Sequence, residues 1–201
     1  MLFCPGIPGA GKTILSATVI DHLHAQFHGN CDVGIAYLYC NFRRSSTQKA
    51  EALVRNLLKQ LVLTRPSLPG IVKAISADRG RSELDTLLAA LKSVVSGYFK
   101  VYVVVDALDE CSPDESCREN FLAQLFDLQY TAGVNLFATS RPIPDIVDKF
   151  RGFVSLEILA RGEDVGLYLQ GHMGELMPFV AGRKDLREKI VTSISNAVDG
   201  M

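Results

Sequence analysis

The chain has 201 residues, enough for one sizeable core, or for one domain and part of a second. Hydrophobic residues make up 48% and charged residues 21%, and the net charge is −1, so neither nucleic acid nor a membrane surface is expected as a partner. No apolar run approaches the roughly 18 residues that span a bilayer, and five cysteines with no CxxC pair fit a reduced, cytoplasmic compartment.

In chain order, the first strand is the apolar "LFC" (2–4), cut short by "PGIPG". It leads into "GIPGAGKT" (6–13), which fits G-x-x-x-x-G-K-[ST] in the strand-to-helix context that the pattern requires. Gly6, Gly9 and Gly11 permit close backbone approach, so successive N–H groups of Gly6, Ile7, Pro8, Gly9, Ala10 and Gly11 (Pro8 lacking the donor) can wrap a phosphate at a helix N-terminus. Lys12 would reach the β- and γ-phosphates, and the Thr13 hydroxyl would ligate Mg²⁺. A glycine-rich turn with a surface lysine is the simpler alternative. The helix that follows covers about 12–27; His22, His24 and His28 close it as a polar end, without a partner at metal-site spacing.

"VGIAYLYC" (33–40) reads as the second strand. Helices follow at 48–63, with Leu53, Leu57, Leu58 and Leu61 on one face and a stop at Pro66, and at 83–96, with Ser82 as N-cap. "VYVVVDAL" (101–108) is a strand that stops at Asp106, and Asp109 and Glu110 follow one turn later. Asp106 suits a Mg²⁺-holding acid at a strand end. Ala107 stands where a hydrolytic enzyme often carries a glutamate, so water activation would fall to Asp109 or Glu110 across a loop, with Asp109 expected to point into the cleft. "SPDE" (112–115) caps a helix to about 129, and "VNLFAT" (134–139) ends in Ser140 and Arg141, whose fork suits a γ-phosphate. "FVSLEIL" (153–159) is the last strand, and the rest is helical. Nearly all-apolar strands alternating with helices give an α/β fold with a five-stranded parallel sheet, covered on both faces. The strand ending at Thr139 is expected between the first strand and the Asp106 strand.

"GIPGAGKT", "VVVDALDEC" and "FATSRP", in this order, resemble the NACHT nucleotide-binding domain of the STAND class of P-loop NTPases, closest to the fungal NACHT proteins with ankyrin or WD repeats and to nephrocystin-like domains. "AYLYCNFRRSSTQ" (36–48) and "GEDVGLYLQ" (162–170) resemble further segments of that group. The resemblance implies a P-loop domain over 1–160, and over 161–201 the start of a truncated helical subdomain, with "DGM" (199–201) opening a further motif. It also implies a switch that holds ADP at rest, takes ATP (GTP remaining open) with Mg²⁺, and forms homo-oligomers when activated, in a longer chain with repeat and effector domains. Asp109, Glu110 and Arg141 are the candidate catalytic groups, and Thr13 and Asp106 the metal ligands. A fast ATPase, a P-loop phosphotransferase and an inactive scaffold are the competing readings. The missing adjacent glutamate favours slow turnover.

Overall fold

The computed structural model describes residues 1–42, 49–65, 70, 72, 84–111, 115–159, 162–176 and 178–199. The expected Ser82 cap, the Pro66 stop, Ser112–Asp114 of the capping segment, residues 43–48 and the last two residues of "DGM" lie outside the described residues.

Five parallel strands build one sheet: β1 (Leu2–Pro5), β2 (Val33–Tyr39), β3 (Lys100–Asp106), β4 (Asn135–Ser140) and β5 (Val154–Ser155). Their order is β2-β3-β4-β1-β5, so β4 lies between β1 and β3 as the sequence implied. The helices are α1 (Lys12–Gln26), α2 (Ala50–Leu63), α3 (Leu84–Val95), α4 (Glu115–Ala132) and the short α5 (Pro144–Lys149).

The continuous apolar run of β3 reflects two covered faces. Val101, Val103 and Val105 join the main core with Leu57 and Leu61 of α2, Leu87, Leu91 and Val94 of α3, and Phe121 and Leu122 of α4. Tyr102 points the other way and stacks on Phe27, just past α1, with ring centroids 5.5 Å apart. Leu53, Leu57, Leu58 and Leu61 are all buried, so the helical spacing read in the sequence is the packing face of α2. A Cβ on Gly34 of β2 would lie 2.8 Å from Leu61 Cδ2, which shows how closely α2 approaches the strand.

At the outer edge of β2, Gln60 replaces a neighbouring strand. Its side-chain Oε1 accepts from the Tyr37 N–H at 3.0 Å, and its Nε2 donates to the Tyr37 carbonyl at 2.7 Å.

One expectation needs correction, and one helix went unread. The strand read over 153–159 is only Val154–Ser155, on the sheet edge beside β1, and Val154 is 68% exposed. Its partner β1 has only four residues, and one side of an edge strand has no ladder to join, so apolar content alone does not extend it. The sequence also gave no reading of α5, whose six residues are too few for a periodic pattern; Pro144 starts it, Ile146 is buried, and Asp145 and Lys149 suit its two ends.

Residues Met1–Gly6 and Lys12–Glu157 form one compact unit; Ile7–Gly11 and Ile158–Met201 form a second. The second contains α6 (Gly162–His172), α7 (Pro178–Ala181) and α8 (Lys184–Asp199), with α6 and α7 packing on α8. Among the described residues, no helix is long and apolar enough to cross a membrane.

Candidate functional site

The site gathers where the sheet order places the carboxyl ends of β1, β3 and β4 side by side. Pro5 is in register with Ser140, and the Gly6 N–H donates to the Ser140 carbonyl at 3.0 Å. One residue after its last paired valine, β3 delivers Asp106, which is 3% exposed.

Three hydroxyls converge on the Asp106 carboxylate. Thr13 Oγ1 donates to Oδ2, and Ser16 Oγ and Thr139 Oγ1 both donate to Oδ1, each at 2.7 Å. A buried carboxylate with this many donors is held in one orientation. Thr13 and Ser16 share a face of α1 because they are three residues apart. Lys12, at the start of α1, donates from Nζ to the Gly6 carbonyl at 2.8 Å. In the loop before it, Gly9 and Gly11 have φ of 84° and 93°, the left-handed region where side chains are strained, so these two glycines are required by the backbone. Ala10 N–H closes a turn on the Ile7 carbonyl at 3.2 Å.

Ala107 has the same left-handed backbone, with φ 55° and ψ 54°. Its N–H thereby donates to Thr139 Oγ1 at 3.0 Å, and the chain turns sharply into a single 3₁₀ turn, Leu108–Glu110. Thr139 therefore ties both Asp106 and the bend after it to β4.

The turn splits the two remaining acids. The Asp109 side chain is 2% exposed and is tied to Arg141: Oδ1 accepts from the Arg141 N–H at 2.9 Å, and Oδ2 from Arg141 Nε at 2.5 Å. Burial alone would raise the Asp109 carboxyl, but the Arg141 side-chain and backbone hydrogen bonds and the guanidinium charge outweigh it, and the group sits below the usual carboxylate range. The same hydrogen bond, donated by Arg141 to Asp109, pushes Arg141 up from its ordinary value. Glu110 takes the other direction. It lines a cleft of about 620 Å³ with Thr13, Asp106, Ala107, Tyr39 and Asn56, and its Oε2 accepts from the Phe42 N–H at 3.2 Å. The geometry thus differs from the expectation for Asp109: of the two acids after Asp106, Glu110 lines this cleft, while the bend at Ala107 turns Asp109 toward β4.

Of the residues singled out in the sequence, Gly6, Lys12, Thr13, Asp106, Asp109, Glu110 and Arg141 all lie at this end of the sheet. Ile7, Pro8, Gly9, Ala10 and Gly11 form the loop linking β1 to α1. Ser16 and Thr139 were not assigned roles. Ser16 could have been found from its helical spacing to Thr13, and Thr139 from the expected place of its strand beside the Asp106 strand.

The description "Nephrocystin 3, N-terminal" belongs to a family model that matches residues 1–141. The vegetative incompatibility protein HET-E-1 of Podospora anserina is 26% identical over 198 residues, an alignment covering 89% of this chain and 14% of that protein. The chain therefore corresponds to a small part of this relative. Among solved structures, Drosophila ORC bound to DNA superposes with a TM-score of 0.57 at 15% identity, covering 98% of this chain and 49% of that one. AMPPCP-bound DnaA from Aquifex aeolicus superposes with a TM-score of 0.50 at 13% identity, covering 94% and 49%. At such identities these two show a shared P-loop NTPase fold. With that fold and a family match over most of its length, the chain belongs to the nephrocystin 3 N-terminal family, as a NACHT-type domain of the STAND class of P-loop NTPases.

Proposed function

We propose that the chain is the nucleotide-binding module of a signal-transduction switch, taking ATP with Mg²⁺, holding ADP at rest, and hydrolysing slowly or not at all. The observation that carries this reading is the Asp106 centre, where a strand-end carboxylate meets the hydroxyl of Thr13 at 2.7 Å beside Lys12. Both are hard oxygen donors, which fit Mg²⁺, and Thr13 and Asp106 would hold it. Bound there, Mg²⁺ supplies neutralisation of phosphate charge. Gly6 to Gly11 and Lys12 would hold the phosphates, as their pattern indicates. The AMPPCP-bound neighbour carries a nucleotide analogue on the same fold, which supports the ligand class.

Slow turnover follows from the acids. Ala107 has no proton-accepting group, and Asp109 is held in an ion pair. Arg141 gives its Nε to Asp109, so a γ-phosphate would meet the outer guanidinium nitrogens of an arginine already held in an ion pair. Glu110, which lines the cleft with Thr13 and Asp106, is the base available to a faster ATPase, and that is the second reading. Repeat and effector domains elsewhere in a longer protein, and oligomerisation on activation, complete the proposal; the HET-E-1 alignment, which spans 14% of that protein, leaves room for them.

Calorimetry with ATP and ADP, with and without Mg²⁺, tests the ligand and its holders. Lys12→Ala should weaken ATP binding by about 10–100-fold and ADP binding less, because the lost charge-assisted contact includes the γ-phosphate. Asp106→Asn should make ATP affinity insensitive to Mg²⁺. Equal losses for both nucleotides in the first variant, or unchanged Mg²⁺ dependence in the second, would remove these roles.

A further inference from the structure

Cys40 and Cys111 meet beside the Asp106 strand end although 71 residues separate them. Their Sγ atoms are 2.8 Å apart, which is within about 1 Å of a covalent S–S bond of about 2.05 Å. Both backbones are anchored to neighbouring parts of the fold. The Cys40 N–H donates to the Asp106 carbonyl at 3.0 Å, and the Cys111 N–H to the Leu108 carbonyl at 3.3 Å. Closing the remaining gap of less than about 1 Å is within reach of side-chain rotation at the two anchored positions. The two thiols differ in access: Cys111 is fully buried, while Cys40 is 6% exposed and lines the cleft that also holds Thr13 and Glu110.

We propose that Cys40 and Cys111 are an oxidative modification site, forming an intramolecular disulfide that latches the 108–110 turn to the end of β2. Hydrogen peroxide, small enough to enter the cleft, is the oxidant. The Cys40 sulfur attacks one peroxide oxygen, the O–O bond breaks, and Cys40 sulfenic acid and one water result. The Cys111 sulfur then attacks the sulfenic sulfur; the S–S bond forms, and the hydroxyl leaves with the Cys111 proton as a second water. In total, two thiols and one peroxide give one disulfide and two waters. The latch ties down the turn that carries Asp109 and Glu110. Any effect on nucleotide handling rests on the function proposed above, whereas the disulfide itself does not.

The test is oxidation of the folded, purified chain with hydrogen peroxide, followed by alkylation and peptide mapping without reduction. The expected result is a Cys40–Cys111 cross-linked peptide, with exposed Cys31 serving as the internal control for surface thiols. The melting temperature should rise by about 5–10 °C and return on reduction, since a long loop is closed. In Cys111→Ser, the sulfenic acid on Cys40 should persist and be trapped by dimedone. Free Cys40 and Cys111 in the oxidised, still folded wild type, or cross-links running instead to Cys31 or Cys117, would overturn the proposal. So would the absence of a Cys40 adduct in Cys111→Ser.

Discussion

Asp109 and Arg141 form an ion pair that joins the turn after β3 to the end of β4. Arg141 is about half exposed and Asp109 is buried, so losing the guanidinium strands a charge in the interior, although the Arg141 N–H and Ser140 Oγ remain as partners. Arg141→Met should therefore cost about 1–2 kcal/mol of stability at pH 7. The pair lowers the folded-state Asp109 value below that of the unfolded chain, about 3.9. Its contribution is thus fully present above about pH 4 and is lost as pH falls through the lower folded value. Urea titrations of wild type and Arg141→Met should differ at pH 7, and the gap should narrow as pH falls below about 4; a gap that stays constant through that range would contradict the assignment. Ala107 carries a second residue-scale prediction. A left-handed residue with a Cβ is strained by about 1 kcal/mol, so Ala107→Gly should be neutral or stabilising by up to about 1 kcal/mol, and Ala107→Val destabilising by about 1–3 kcal/mol. Thermal melts that rank valine above glycine would refute this. The sequence showed that Ala107 lacks a base; that its backbone turns Asp109 away from the cleft became visible only with the φ angle.

At the scale of elements, the sequence was most legible where chemistry is local. The phosphate-loop pattern, the acidic end of β3 and the "TSR" end of β4 are each short runs, and their strands fall where expected. Side-chain contacts between distant segments were not legible. Ser16 reaches Asp106 across 90 residues, and Cys40 reaches Cys111 across 71. β5 was overread because an apolar run states a preference for burial, and its place at the sheet edge denied it a second neighbour. Gln60 is another case: on a helix it reads as a polar surface residue, yet it closes the open edge of β2. Gln60→Leu should cost about 1–3 kcal/mol by leaving the Tyr37 N–H and carbonyl unpaired, and should promote edge-to-edge association. Light scattering on heating the variant and wild type side by side reads the second effect; unchanged association and stability would show that the edge needs no cover.

In the molecule as a whole, a P-loop fold carries the site that we propose holds nucleotide rather than turning it over rapidly. The sheet brings the Asp106 strand beside β4, hydroxyls from α1 and β4 fix the carboxylate, and the bend at Ala107 commits Asp109 to Arg141. Glu110 alone of the two later acids lines the cleft, so Glu110→Gln should remove more of any residual turnover than Asp109→Asn. The most direct test of the central claim is phosphate release by the purified chain at saturating Mg·ATP, measured beside Lys12→Ala. The account predicts turnover well below the roughly 1–100 s⁻¹ of kinases, and none in the variant. Sustained release of several phosphates per second by the wild type, abolished in Lys12→Ala, would contradict the switch and make the chain an efficient ATPase.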